Sequence, residues 1–280
     1  MVELKRIFFG YRRGLVLFKD LDLSLEPGNI YGLLGRNGAG KTTLLKILAG
    51  LRLPQAGSCR VLGYNPAERR PGFLSELFFI PEDFSVPAMP LEHYVRLYAP
   101  LYPHFDQRAM AQYLNEFELD AKANLASLSF GQKKKFLVAF GLASNCRLLL
   151  LDEPSNGLDI PSKSQLRKLL ASSITEDKCF IISTHQVRDL QALIDPIIIL
   201  EEGKIIFQKD LAHINRYLVV SLSQNQPDPS KVIYTEKVLG GYVCLLPNEN
   251  QYEGNIDLEL LFNAVLTKRE ELNALLAKEE

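Results

Sequence analysis

Lys41 and Thr42 close the octapeptide GRNGAGKT, which has the form G-x-x-x-x-G-K-[ST]. Phosphate oxygens need several hydrogen-bond donors converging on one spot. Successive backbone N–H groups wrapped into a concave nest supply them if side chains stay out of the way. Gly35, Gly38 and Gly40 leave that room, and the run Gly35, Arg36, Asn37, Gly38, Ala39, Gly40, Lys41, Thr42 and Thr43 is expected to hold the phosphates of a nucleotide. Lys41 can reach the β and γ phosphates as a point charge, and the Thr42 hydroxyl suits Mg²⁺. Two further acids, Asp152 and Glu153, follow four leucines in CRLLLLDEPSNGLD. Asp152 is placed to hold Mg²⁺ through its hydration water. Glu153, one residue on and turned differently, can accept a proton from an attacking water.

These side chains need elements to carry them. NIYGLL before the glycine-rich bend reads as a buried strand, and KTTLLKILAGL after it as a helix whose free N–H groups and positive dipole end face the phosphates. That setting and the Gly-Lys-Thr ending argue against a plain glycine-rich turn or a dinucleotide-binding G-x-G-x-x-G. Leu148 to Leu151 read as a fully buried parallel strand, whose carboxyl edge points the two acids at the phosphate site. A solvated acidic turn is the plainer reading of an isolated Asp-Glu pair, but the phosphate loop calls for an acidic partner on a second strand. Between them, Ser129-Phe130-Gly131-Gln132 forms an S-x-x-Q capping box, expected to open an amphipathic helix from Gln132 to about Ser144. Its hydroxyl, glycine and helix N-terminus would also suit an anion.

Composition narrows the classes. A chain of 280 residues, 47% hydrophobic, can bury a substantial core as one large domain or two unequal ones. With a net charge of -1 and basic residues scattered apart from Lys133-Lys134-Lys135, no nucleic acid is expected as a partner. The N-terminal apolar run is too short for a signal peptide, and nothing approaches the roughly 18 apolar residues of a membrane span. The four cysteines, Cys59, Cys146, Cys179 and Cys244, are isolated from one another, which suits a reducing cytoplasm.

In order, GRNGAGKT, LSFGQ, LLLLDEPSNGLD and IISTHQ resemble the phosphate loop, signature, acidic strand with D-loop, and switch histidine of ATP-binding cassette (ABC) ATPases, over about residues 1 to 210. The resemblance implies an α/β fold: a P-loop NTPase core of ABC type with an N-terminal antiparallel β part, a helical subdomain and a small C-terminal α+β appendix. It implies ATP and Mg²⁺ as cofactors and a head-to-tail pair of cassettes, in which Leu128, Ser129, Gly131 and Gln132 serve the partner's ATP. Asp159 resembles the D-loop aspartate that crosses this interface. His185 resembles the histidine that contacts the γ-phosphate and holds the attacking water with Glu153. As an isolated histidine it would more often be structural, but it directly follows the apolar strand CFIIST. Tyr11 matches the aromatic residue that stacks on adenine; it could equally close a hairpin or pack on the core. Where many relatives carry a glutamine linking Mg²⁺ to the membrane partner, FFIPEDFSVP places Glu82. This, with LYPHFD, resembles a branch that energises export through a separate permease.

The expected organisation is an ATPase domain over 1–210, with a helical subdomain at about 85–145, and an accessory domain over 211–280. KVIYTEKVLGGYVCLLP reads as a hairpin around Gly240-Gly241, and DLELLFNAVLTKREELNALLAKEE as one or two amphipathic helical segments. Tyr94, Tyr98 and Tyr102, four apart, suit either core packing or a grip on a permease helix. The leading function is an ATPase that dimerises on ATP, as a homodimer or heterodimer. It would drive an integral-membrane permease from the cytoplasmic face, with export as the direction of transport that the resemblance to that branch implies. The alternative is a soluble ABC ATPase acting on the ribosome or DNA. Such types generally carry tandem cassettes or a long coiled-coil insertion, whereas this sequence reads as one cassette with 111 residues from Lys41 to Asp152 (152 − 41), which favours transport. A nucleotide-responsive module without turnover fits less well, since Glu153 and His185 are both present.

Overall fold

The structure, a computed structural model, describes residues 1–11, 14–249, 252 and 254–277. In chain order it begins with strands β1 (Val2–Tyr11), β2 (Leu15–Leu25) and β3 (Asn29–Leu34), helix α1 (Lys41–Leu48) and strand β4 (Ala56–Val61). Then come α2 (Pro71–Leu74), β5 (Leu77–Ile80), α3 (Leu91–Tyr98), α4 (Gln107–Glu116), α5 (Phe130–Ala143) and β6 (Leu148–Asp152). The cassette closes with α6 (Ile160–Ser173), β7 (Cys179–Thr184), β8 (Ile197–Glu201) and β9 (Lys204–Lys209). Last are α7 (Leu211–Tyr217), β10 (Leu218–Ser223), β11 (Tyr234–Val238), β12 (Gly241–Pro247), α8 (Leu258–Thr267) and α9 (Arg269–Leu276).

The central sheet has the order β5-β6-β7-β3-β8-β9, with β5 through β8 mutually parallel and β9 antiparallel on β8. Every residue of β6 and β7 is buried, as expected of parallel strands covered on both faces. The two-residue period of a strand then divides the leucines of β6 between two cores. Leu148 and Leu150 join Leu44, Leu45 and Leu48 of α1 and the antiparallel sheet β2-β1-β4. Leu149 and Leu151 join α5, α6 and the C-terminal elements on the other side. The sheet is thereby clamped, and its carboxyl edge, where β3, β6 and β7 end side by side, carries the polar residues.

Two expectations change, and one open alternative resolves. The signature helix α5 starts at Phe130 rather than Gln132, and it is not amphipathic. Lys134 and all residues from Phe136 to Ala143 are buried, because α5 is wedged among α4, α6 and β5. The tyrosine stripe is packing: Tyr94 stands edge-on to Phe136 and Phe140, both at 5.2 Å, and Tyr102 lies against Phe78 and Phe140. Burial pushes the Tyr94 phenol up to about 12, as befits a side chain committed to the core. In the C-terminal part the hairpin β11–β12 closes through Val238 and Gly241, but β10, unforeseen, pairs with β12 and makes the sheet three-stranded. Residues 278–280 of the expected helix lie outside the described residues.

This C-terminal part is not a detached bead. Leu218, Leu245, Leu258 and Leu261 share one apolar cluster with Val187, Leu190 and Ile199 of the cassette. Gln191 Nε2 donates to Ile256 O at 2.9 Å, and Arg188 pairs with Glu259. Among the described residues no helix is long and apolar enough to cross a membrane.

Candidate active site

The loop between β3 and α1 explains its own glycines. A Cβ on Gly35 would stand 2.4 Å from Leu200 O of β8, so only glycine lets the loop turn against the neighbouring strand. Gly38 and Gly40 have φ of +84° and +113°, in the left-handed region that side chains disfavour. Lys41, only 7% exposed, donates through Nζ to Gly35 O at 2.7 Å and lies 3.9 Å from Glu153 Oε1. Burial lowers its ammonium below the ordinary lysine range, while Glu153, Asp152, Glu82 and Glu201 pull it back up.

Side chains from distant parts of the chain meet around this loop. Arg36, Asn37, Gly38, Gly40, Lys41, Thr42 and Thr43 line a cavity of about 490 Å³ together with Tyr11, Glu82, Asp152, Glu153 and His185. Leu15 and Leu17, which sequence reasoning did not single out, add an apolar wall. Gly35 and Ala39 shape the loop without lining it; Ala39 is buried in the core below. The Tyr11 hydroxyl is 2.6 Å from Thr43 Oγ1 and its ring meets Phe9 edge-on at 5.2 Å, so the aromatic face is held at the rim of the cavity.

Register brings the acids in. Asp152 is paired with Ser183 across β6 and β7, and Asp152 Oδ1 accepts a 2.5 Å hydrogen bond from Ser183 Oγ. Glu153 follows with φ of +48°, a left-handed backbone that costs a glutamate on the order of 1–3 kcal/mol and redirects its side chain. Its N–H donates to Ser183 O at 3.1 Å. Glu153 Oε1 lies 2.7 Å from His185 Nδ1; an ionised carboxylate only accepts, which assigns the ring proton to Nδ1. Glu82 Oε1 accepts from Asn156 Nδ2 at 3.1 Å.

The buried oxygens Asp152 Oδ2 and Glu153 Oε2 have no hydrogen-bond partner in the protein. Bare carboxylate oxygens on residues that line the same cavity as Thr42 fit a hard cation such as Mg²⁺. Among the described residues no cluster of three or more His, Cys, Asp or Glu is set to hold a metal. Residues so few would supply only part of a coordination sphere, as suits an ion shared with substrate phosphates.

The remaining predicted residues stand elsewhere. Ser129, Gly131, Gln132 and Asp159 do not line the cavity. Ser129 caps α5 by accepting from Gln132 N at 3.2 Å, and Gln132 Oε1 accepts from Ser129 N at 3.0 Å, completing the capping box. Gly131 admits a close approach: a Cβ there would be 2.7 Å from Gly157 O, so the signature packs on the D-loop backbone of its own chain. Asp159 caps α6 by accepting from Ser162 N, and hydrogen bonds from Ser162 hold its carboxyl below the usual carboxylate range. Sequence reasoning missed Lys134, whose Nζ donates to Glu153 O at 2.9 Å and Asn156 O at 3.2 Å. Its only signal was a place in a three-lysine run.

Such a fold and loop define a P-loop nucleoside triphosphatase. Residues 18–156 match the family described as ABC transporter. The chain is 32% identical over 207 residues to the molybdate import ATP-binding protein MolC of Haemophilus influenzae, covering 72% of this chain and 79% of that protein. It is 35% identical over 193 residues to the Nod factor export ATP-binding protein I of Burkholderia thailandensis, covering 66% of this chain and 62% of that protein, less than two thirds of its length. A solved ATP-binding subunit of an ABC transporter superposes with a TM-score of 0.71 at 26% identity, over 77% of this chain and 92% of that one. This chain belongs to the ABC transporter family, as an ATP-binding subunit with ATPase activity.

Proposed function

We propose that the chain binds Mg²⁺-ATP in the cavity at the end of β3, pairs head to tail with a second cassette subunit, and drives a separate membrane permease, of the exporting kind, from the cytoplasmic face. The observation that carries this reading is a separation. The groups suited to phosphates and to water activation line one cavity, while Ser129, Gly131, Gln132 and Asp159 stand outside it. A second subunit would bring those residues to the open side. The proposed division at residue 210 rests on the separate β10-β12-β11 sheet, although its apolar core is continuous with the cassette.

Within one site, Lys41 and the loop N–H groups bind the phosphates, and Tyr11 offers its ring to adenine. Mg²⁺, when bound through Thr42 and Asp152, neutralises phosphate charge. Glu153 takes a proton from a water whose oxygen attacks the γ phosphorus. The bond from that phosphorus to the bridging oxygen breaks, and ADP and phosphate leave. His185, through Nδ1, fixes the direction of the Glu153 carboxylate. Ser183 does the same for Asp152.

Mixed dimers test the pairing. Ser129→Arg should leave ATP binding by the isolated subunit nearly intact and abolish dimer-dependent hydrolysis, because the blocked ATP belongs to the partner. Mixing it with Lys41→Ala should restore one working site per dimer. If the mixture is as inactive as either variant alone, the head-to-tail arrangement is wrong. Co-purification with an integral-membrane protein tests the permease.

Glu82 is proposed to reach the Mg²⁺ shell. Glu82→Gln keeps an oxygen for Asn156 but loses the charge, so hydrolysis should persist with a several-fold higher Mg²⁺ requirement. Glu82→Ala should lose more turnover. Wild-type Mg²⁺ dependence in Glu82→Ala, with and without the permease, would remove Glu82 from the metal site.

A further inference from the structure

Lys134 has no place in the mechanism above, yet its relative exposure is 0%. Taking an ammonium out of water is costly, so a lysine held there must be matched by what it touches. It lies on α5, a little over one helical turn past Ser129. Its Nζ reaches across to the loop after β6 and donates to two carbonyls three residues apart, Glu153 O and Asn156 O. The ammonium also lies 4.9 Å from the Phe130 ring centroid, and Phe130 stacks on Phe84 with 5.2 Å between centroids. Asn156 in turn donates to Glu82. One side chain thus joins the signature helix, the end of β6, the D-loop and the segment after β5.

The residue that most needs such a tie is Glu153. A left-handed glutamate persists only where its surroundings over-determine it. Its N–H is held by Ser183 O, and its C=O by the Lys134 ammonium, a charge-assisted bond roughly twice as strong as one from a neutral donor. With both sides of the residue fixed, the carboxylate is delivered to His185 at 2.7 Å.

We propose that Lys134 is a positioning residue for Glu153. It holds the left-handed backbone that aims the carboxylate at water, and so ties the signature helix, which faces the partner's nucleotide, to the acid that acts on the nucleotide of its own chain. This rests on the reading of Glu153 as general base.

The test uses the full chain with Lys134→Met, Lys134→Gln, Glu153→Gln and the double variant Lys134→Met/Glu153→Gln, measuring ATP Kd, KM, kcat and thermal melting. Lys134→Met should keep the ATP Kd within about threefold and lower kcat by about 10–100-fold, the scale set by a catalytic group displaced by an ångström. Lys134→Gln, a shorter donor, should lose less than Lys134→Met. In the Glu153→Gln background Lys134→Met should cost nothing more, because residues acting as a unit are not additive. Wild-type kcat in Lys134→Met overturns the proposal, as does the same fold-loss in both backgrounds. If Lys134→Met does not fold, Lys134→Gln decides: a lower kcat at unchanged Kd supports the proposal, and a wild-type kcat overturns it. Failure of the general-base reading looks different, since Glu153→Gln alone would then turn over normally.

Discussion

Glu153→Gln is expected to lower ATP turnover by about 10²–10⁴-fold, the usual worth of a general base, while ATP still binds. The amide has nearly the shape of the carboxylate and can keep the 2.7 Å contact with His185 Nδ1 through its carbonyl oxygen. The loop, Lys41 and the left-handed backbone at residue 153 remain, so the nucleotide should be held as before. Basicity is what disappears. If ATP closes a dimer and hydrolysis opens it, this variant should also accumulate ATP-bound dimers in size-exclusion chromatography. Single-turnover hydrolysis near the wild-type rate would remove Glu153 from the role of base, and a persistent monomer with ATP would count against the composite site.

Lys41→Ala should instead fail at binding, with ATP Kd raised about 10²-fold, equivalent to ~2.7 kcal/mol. The ammonium is buried and close to Glu153, so the truncation removes a positive charge from a cavity that already contains Asp152, Glu153 and Glu82. Phosphates entering it would meet three carboxylates with less to offset them. Lys41 also lies 3.9 Å from Glu153 Oε1, so its loss removes a contact that helps place the proposed base, and saturating ATP should not restore normal turnover. Equilibrium titration with a fluorescent ATP analogue reads the first effect, and kcat at saturation the second. Unchanged affinity would contradict the placement of Lys41 on the phosphates.

Much of this site was legible because its signals are local. GRNGAGKT needs left-handed backbone at Gly38 and Gly40 and a close approach at Gly35, and glycine is the residue that permits both. The leucines of β6 and the apolar run of β7 announce parallel strands buried on both faces, and their carboxyl ends place Asp152 and His185 at one edge. The capping box at Ser129 is likewise readable within four residues. Less legible was α5, because a helix buried among α4, α6 and β5 carries no amphipathic stripe. Strand β10 went unread because only its pairing with β12 distinguishes its half-buried residues from a loop.

By itself, then, the sequence determined that a glycine-rich loop follows one buried strand and that two acids come at the end of another, since both follow from backbone needs and spacing within a few residues; the motifs in their order added the resemblance to ABC ATPases. Tertiary structure alone decided that Tyr11 meets Thr43, that Glu82 meets Asn156, and that one lysine of three is buried beneath Glu153. The physical reason is that neither register between strands nor the rotation of a helix about its axis is written in any short segment. Both are set by packing among elements far apart in the chain, and that packing chose Lys134 over Lys133 and Lys135 to hold the backbone of Glu153.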